Sequence, residues 1–316
     1  MRKIMTGLAL VLAAPAAAFT ANDIENAQFT GGSLPDGQSA LTVKLQVLLD
    51  KAGVSPGVID GYSGGMSESA LRGYEAREGF KIDGLLDAEV WSALGGEGKQ
   101  AVTKSYTVTE DDQNNLSSEI PDNVAKKAEM EMLGFTSVSE KLAERFHMDE
   151  DFLKLLNPDV SFAVGDTILV ADPGTRLEGT AARVEIRKSD QRAVVFDTSG
   201  KMLANYPVSI GSEETPSPEG KLEVNAVAMD PTYSYRPSVN FEADGVDEAL
   251  ILPAGPNGPV GSVWIDLSKP TYGLHGTDAP AELFSASSHG CVRFTNWDVE
   301  ELAFMVSKGV VVEFVE

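Results

Sequence analysis

The sequence is poor in cysteine and histidine, with one cysteine, Cys291, and three histidines among 316 residues. A disulfide framework within the chain is excluded, because a single thiol has no partner. Basic residues are also scarce, since 25 Lys and Arg stand against 48 Asp and Glu and give a net charge of −23. Binding to nucleic acid is therefore not expected, because it requires Lys and Arg to neutralise phosphates.

Long apolar runs are absent after residue 18, where no stretch approaches the roughly 20 residues that a membrane-spanning helix needs. Near the N-terminus, Arg2 and Lys3 precede an apolar run over residues 4–12, and Ala16-Ala17-Ala18 follows. This order of charge, apolar core and small residues is typical of a secretory signal peptide, which we expect to span residues 1–18. The mature chain should be exported to the periplasm and should not span the membrane.

Residues 38–96 show a helical pattern. Leu41, Leu45 and Leu48 recur at helical spacing, and the triplet at 59–61, Ile-Asp-Gly, recurs at 82–84. With its Leu-Gln start, its Pro-Gly turn and Trp91, the stretch resembles a peptidoglycan-binding domain of the three-helix type. The resemblance implies binding to peptidoglycan glycan.

Residues 104–173 follow as a second accessory segment. Helical patterns over 140–146 and 150–156 lie between two short candidate strands, at 106–108 and 165–170. Together with Asn157-Pro158 and Gly165-Asp166, this arrangement resembles a degenerate LysM module, a small α/β unit that binds glycan.

Residues 180–316 change to closely spaced strands separated by Gly and Pro turns. Such a pattern favours a β-sandwich or barrel, and of the two we predict the sandwich. The chain as a whole is therefore expected to be a multidomain α+β protein: a helical domain, a LysM-like module and a mainly β catalytic domain. Rigid β domains tend to carry function on loops, so the chemistry should lie on the loops of this last domain.

Two loops of this C-terminal stretch carry chemistry, over residues 272–277 and 288–294. A thiol with the ordinary pKa of about 8.5 is mostly protonated at neutral pH, so a nucleophilic Cys291 needs a base. His275 and His289 are candidates, because imidazole titrates near neutral pH. The amides of Gly290 and Cys291 could face a developing oxyanion. The alternative is a buried thiol that packs as a small apolar side chain.

The motifs His275-Gly276-Thr277 and Ser288-His289-Gly290-Cys291-Val292-Arg293 resemble those of the YkuD-type L,D-transpeptidase catalytic domain. Ser217-Pro218-Glu219-Gly220 and the glycine-rich stretch 255–261 extend the resemblance. It implies that Cys291 attacks a substrate carbonyl, that His275 accepts and returns the proton, and that the Gly276 carbonyl orients His275. It assigns the oxyanion region and the substrate pocket to the remaining residues of the two loops: His289, Gly290, Tyr272, Ser288 and Arg293.

The implied reaction needs neither cofactor nor metal. A peptidoglycan stem peptide would form a thioester with Cys291, and an amine would then resolve it, giving a 3-3 cross-link or attaching an outer-membrane protein to the wall. Four alternatives are weighed against this reaction: a zinc site built from cysteine and histidine, a papain-like or other cysteine peptidase, a wall-binding protein whose catalytic domain has decayed, and a hydrolytic relative acting as an L,D-carboxypeptidase or amidase.

Overall fold

The computed structural model describes residues 19–237, 246–288 and 290–316. The predicted signal peptide, residues 1–18, lies outside the described residues. The α-helices of the described part are α1 Ala21–Glu25, α2 Ala40–Lys51, α3 Gly65–Glu78, α4 Ala88–Ala93, α5 Val124–Ala128, α6 Val138–Arg145, α7 Glu150–Leu156 and α8 Asn296–Met305. Within it, no helix is long and apolar enough to cross a membrane.

The strands fall into two groups along the chain. Two of them, β1 Thr103–Thr107 and β2 Thr167–Ala171, pair antiparallel in the accessory part. The others, in chain order, are β3 Arg183–Arg187, β4 Arg192–Phe196, β5 Met202–Pro207, β6 Gly220–Met229, β7 Tyr233–Tyr235, β8 Leu250–Leu252, β9 Val263–Leu267, β10 Gly273–His275, β11 Val292–Arg293 and β12 Val311–Val315.

The accessory helices and strands share one apolar core. Buried side chains from Ile24 through Trp91 and Phe152 to Ile168 form a continuous cluster. The two accessory segments, which the sequence patterns suggested were separate modules, are therefore packed together in the structure. This packing accounts for short helices such as α4 and α7, because tertiary contacts rather than length stabilise them.

Eight of the ten C-terminal strands form one mixed sheet in the order β11-β10-β9-β6-β12-β3-β4-β5, and β7 and β8 pair separately as an antiparallel two-stranded sheet. The sheet curls, since the chain after β5 returns to the opposite edge: the amide of Ser209 donates to the carbonyl of Arg293 at 3.0 Å, and the amide of Arg293 donates back at 3.0 Å. The predicted β-sandwich is corrected to a single curled sheet. Strand density cannot distinguish the two, because bulges such as that at Val195/Phe196 bend strands and are not visible in an alternation pattern.

Helix α8 fills the interior of the curl. The Thr295 side chain caps it by accepting from the amide of Asp298 at 3.1 Å. Val299 and Leu302 then pack among buried strand residues such as Leu274. Helix α8 therefore starts beside the end of β11 and close to the loops that carry the predicted chemistry.

A buried polar network joins the helical accessory domain to the sheet. The Arg192 guanidinium donates to the carbonyl of Ser55 at 3.0 Å and to the side chain of Asn205 at 2.7 Å. The Ser55 hydroxyl donates to Asp298 at 3.0 Å. Backbone bonds link Asn205 with Gly53 and Ser55, each at 2.9 Å. The accessory domain is thus fixed against the C-terminal domain by hydrogen bonds away from solvent, which are costly to leave unmade.

Candidate active site

The strand register brings the predicted nucleophile and base to one face of the sheet. β10 and β11 are parallel neighbours, with Leu274 opposite Val292 and His275 opposite Arg293. Cys291 precedes β11 by one residue. Because side chains alternate between the two faces with a period of two, Cys291 lies on the same face as His275 and Arg293.

A cavity of about 470 Å³ opens on that face. Both Cys291 and His275 line it, and so do Tyr272, Ser288 and Arg293. Five of the predicted site residues therefore line the same cavity. Further residues of the lining, which the sequence patterns did not single out as site residues, are Tyr233, Pro259, Val260, Trp264, Thr271, Thr277, Asp278, Ala279 and Glu282.

His275 is held in one tautomer. Its Nδ1 lies 2.7 Å from the carbonyl oxygen of Gly276. A carbonyl oxygen can only accept, so Nδ1 carries the proton and Nε2 is the basic nitrogen of the neutral ring. The ring stacks on Trp264, the residue opposite it on β9, with centroids 5.7 Å apart. Both contacts fix the orientation of the imidazole.

Burial sets the protonation of the pair. It lowers the pKa of His275 to about 4, and the positive charge of Arg293 acts in the same direction. Burial also raises the pKa of the Cys291 thiol above its ordinary value. At neutral pH both groups are therefore uncharged. The arrangement suits general-base catalysis, in which Nε2 takes the thiol proton during attack, rather than a preformed thiolate.

Gly290 shapes the turn before the cysteine. Its φ of +110° is unfavourable for any residue with a side chain, and a Cβ atom there would lie 2.9 Å from the ring of Tyr272. The Gly290 amide donates to the Ser288 hydroxyl at 3.1 Å, and the Gly290 carbonyl accepts from Ser217 at 3.0 Å. The Ser288 hydroxyl also donates to the carbonyl of Cys291. The turn is thus closed by Ser217 and Ser288.

Two further predicted site residues are Arg293 and His289. Arg293 is half-buried and donates to the carbonyl of Ser287 at 3.3 Å. His289 lies outside the described residues. In the described part of the chain, no group of three or more His, Cys, Asp or Glu side chains is placed to hold a metal ion.

Two family models match the chain. The "L,D-transpeptidase catalytic domain", YkuD, matches residues 181–313, and the "Putative peptidoglycan binding domain" matches residues 38–94. The chain carries an L,D-transpeptidase catalytic domain behind a peptidoglycan-binding domain. The curled sheet with its Cys291 and His275 cavity lies within the first of these matches.

Several similar proteins are named as L,D-transpeptidases. The "Putative L,D-transpeptidase YkuD" of Bacillus licheniformis is 28% identical over 174 residues, which cover 54% of this chain and 88% of that protein. The "Probable L,D-transpeptidase YbiS" of Escherichia coli is 27% identical over 194 residues, covering 58% of this chain and only 61% of that protein. An L,D-transpeptidase structure from Xylanimonas cellulosilytica is 13% identical and covers 91% of this chain and 100% of that chain, with a TM-score of 0.40. That score is too low to place individual residues.

One residue of the L,D-transpeptidase domain that sequence reasoning missed is Asn296, in the first turn of α8. It is buried, and its Oδ1 accepts from the amide of Ser262 at 3.0 Å. Its Nδ2 donates to the carbonyl of Pro256 at 3.2 Å. The sequence gives no signal for this role, because asparagine near a capped helix start is ordinary.

Alanine at position 276 should weaken both the fold and the activity of the L,D-transpeptidase domain. A Cβ atom on Gly276 would lie 2.1 Å from Asn296 Oδ1, so the backbone that anchors His275 must shift. We expect Gly276→Ala to reduce the free energy of unfolding by about 1–3 kcal/mol, as overpacking does. It should also lower the rate of Cys291 acylation. Denaturant unfolding and acylation by mass spectrometry measure the two effects.

The matched control is Gly64→Ala in the accessory domain, where nothing lies within 4 Å of the added Cβ atom. It should leave the acylation rate at its wild-type value and, because Gly64 is the N-cap of α3, lower the free energy of unfolding by at most about 1 kcal/mol. Wild-type acylation by Gly276→Ala would show that the Gly276 carbonyl does not anchor the base.

Proposed function

We propose that this protein is a periplasmic L,D-transpeptidase that acts on peptidoglycan stem peptides through a thioester on Cys291. One observation supports it most: Cys291 and His275 lie on one face of two neighbouring strands and line the same cavity. Nε2 of His275 is the basic nitrogen there. The peptidoglycan-binding domain at 38–94 supports the choice of substrate.

In the first half-reaction, Nε2 of His275 takes the thiol proton as Sγ attacks the carbonyl carbon of the donor stem, before the terminal D-alanine. The tetrahedral intermediate collapses when His275⁺ returns the proton to the leaving nitrogen. The C–N bond breaks, D-alanine leaves as an amine, and the acyl group stays on Cys291 as a thioester. Two moderate barriers thus replace one high barrier.

In the second half-reaction, an acceptor amine attacks the thioester and His275 takes a proton from its nitrogen. The C–S bond breaks, and the proton returns to the sulfur. A second stem as acceptor gives a 3-3 cross-link, and an amine of an outer-membrane protein attaches that protein to the wall. Water would instead give hydrolysis, as in a carboxypeptidase.

The turn that ends at Cys291 supplies the remaining groups of the proposed site. His289 and the backbone at Gly290 and Cys291 would stabilise the oxyanion. In the present geometry the Gly290 amide donates to Ser288, so its use by an oxyanion requires that bond to exchange. Tyr272, Ser288 and Arg293 would contact the stem, and the Arg293 cation suits an anionic donor.

The test incubates the full mature chain with a tetrapeptide stem that ends in D-alanine, alone and with a second stem as acceptor. Intact-protein mass spectrometry should show an adduct equal to the stem minus D-alanine, located on the peptide that contains Cys291. Peptide products should include a cross-linked dimer, whereas release of tripeptide alone would identify the hydrolytic relative. If the folded chain releases no D-alanine and gains no mass, the wall-binding alternative is the better account.

A further inference from the structure

Helix α6 of the accessory part contacts the catalytic domain through two glutamates. Glu140 and Glu144 are four residues apart and therefore share one face of the helix. The Glu140 carboxylate accepts from Asn257 Nδ2 at 2.6 Å. The two oxygens of Glu144 lie 3.2 and 3.1 Å from Asn296 Nδ2. Each glutamate thus holds the side-chain amide of one asparagine in the catalytic domain.

Asn296 passes this contact on to the backbone next to the predicted base. Asn296 as a whole is only 2% exposed. A Cβ atom on Gly261 or on Gly276 would in each case lie 2.1 Å from Asn296 Oδ1, so the amide is wedged against both backbones. The carbonyl of Gly276 in turn orients Nδ1 of His275. The path from Glu144 to the imidazole therefore runs through one side chain and one peptide unit.

The glycine-rich loop over residues 254–262 is held by the same part of the accessory chain. The Leu133 amide donates to the carbonyl of Ala254 at 2.9 Å, and the Asn257 amide donates to the carbonyl of Leu133 at 2.9 Å. The loop then accepts from the Gly276 amide through the carbonyl of Val260 at 3.1 Å. Residues 133–144 thus contact Gly276 by two routes, through Asn296 and through the loop.

We propose that Glu144 is a positioning residue for His275, which it acts on through Asn296 and Gly276, so that the accessory part helps to build the active site. This inference rests on the proposed function, in which His275 is the base. It adds a role for residues 104–173, whose resemblance to a degenerate LysM module implies glycan binding.

The charges around Glu144 are consistent with this role. Its burial, together with the carboxylates of Glu300, Glu140 and Asp278, raises the pKa of Glu144 to about 8. At neutral pH the group is therefore protonated. A neutral Glu144 can sit one turn from Glu140 without the repulsion of two carboxylates, and glutamine has nearly the same shape as the protonated acid.

The test compares Glu144→Ala with Glu144→Gln, which keeps an acceptor oxygen, and with Glu144→Asp, which is too short to reach Asn296. Glu129→Ala, at an exposed position of the same accessory part, is the control. The readouts are kcat for D-alanine release, the pKa of His275 from its NMR titration, and the alkylation rate of Cys291. The last two need no substrate, so they decide the inference even if the proposed function fails.

We expect Glu144→Ala and Glu144→Asp to lower kcat by about tenfold to a hundredfold with KM little changed, because a loosened base is misplaced. The pKa of His275 should rise toward its free value of about 6.5. Glu144→Gln and Glu129→Ala should keep the wild-type kcat and pKa. The inference is overturned if Glu144→Ala and Glu144→Asp, folded as judged by circular dichroism, leave all three readouts unchanged while Asn296→Ala alters them.

Discussion

Replacement of Cys291 by alanine is expected to abolish D-alanine release, with a loss of at least about 10⁴-fold, because no other group can form the thioester. The fold should persist. The thiol is only partly buried, and its contact to the carbonyl of Thr271, at 3.6 Å, is weak. Circular dichroism and thermal unfolding measure the fold, and mass spectrometry of the stem peptides measures the activity.

A carbapenem gives a second measurement of the same assignment, because it presents a strained acyl group to the nucleophile. The wild-type chain should gain one carbapenem mass on the peptide that contains Cys291, and Cys291→Ala should gain none. Release of D-alanine by Cys291→Ala at the wild-type rate would refute the nucleophile. A native chain that takes up no carbapenem, and whose thiol resists iodoacetamide until it is denatured, would favour the inert thiol instead.

The residues that we propose react could be picked out from the sequence because they lie in short contiguous motifs. The 272–277 and 288–294 loops each carry several chemically specific residues, and the structure shows that β10 and β11, which carry them, are neighbours. The structure also bears on the protonation of the pair. A histidine beside a cysteine suggests a raised fraction of thiolate, whereas burial here raises the pKa of Cys291 and lowers that of His275.

Gly276 was expected to orient the base, but the more distant residues that we propose support it could not be predicted. Glu144 and Asn296 are distant in the sequence and meet only because α6 packs near the start of α8. Local periodicity identifies helices but does not report which helices touch. The same limit applies to the sheet, because the pairing of Ser209 with Arg293 that closes the curl joins segments far apart in the chain. Nonlocal pairing of this kind depends on bends and bulges, which hydrophobic alternation does not encode.

The accessory part is therefore of interest beyond wall binding. A tether would raise the local concentration of substrate without altering the chemistry. An accessory part that positions His275 would alter the chemistry even for a soluble stem peptide. The buried network at Ser55, Arg192 and Asp298 joins the two parts directly, since the guanidinium of Arg192 and the carboxyl group of Asp298 both bond to Ser55 across the boundary.

Replacement of His275 by alanine should lower the acylation rate by about 10²–10⁴-fold, the usual loss when a general base is removed. Substrate affinity should change less, because the imidazole is buried. His275→Gln is the conservative variant, since it keeps much of the volume stacked on Trp264 while removing the base. Both variants should retain the fold and should label slowly with a carbapenem.

The pH dependence of the wild type separates a base from a structural residue. The base works only when Nε2 is unprotonated, and the pKa of His275 is lowered to about 4. The value of kcat/KM should therefore rise as the pH increases through about 4 and then stay level through neutrality, rather than rising near 6.5 as for an exposed imidazole. In His275→Gln this acid limb should vanish from the residual rate. An acid limb that persists near pH 4 in His275→Gln would assign the titration to another group and remove His275 as the base.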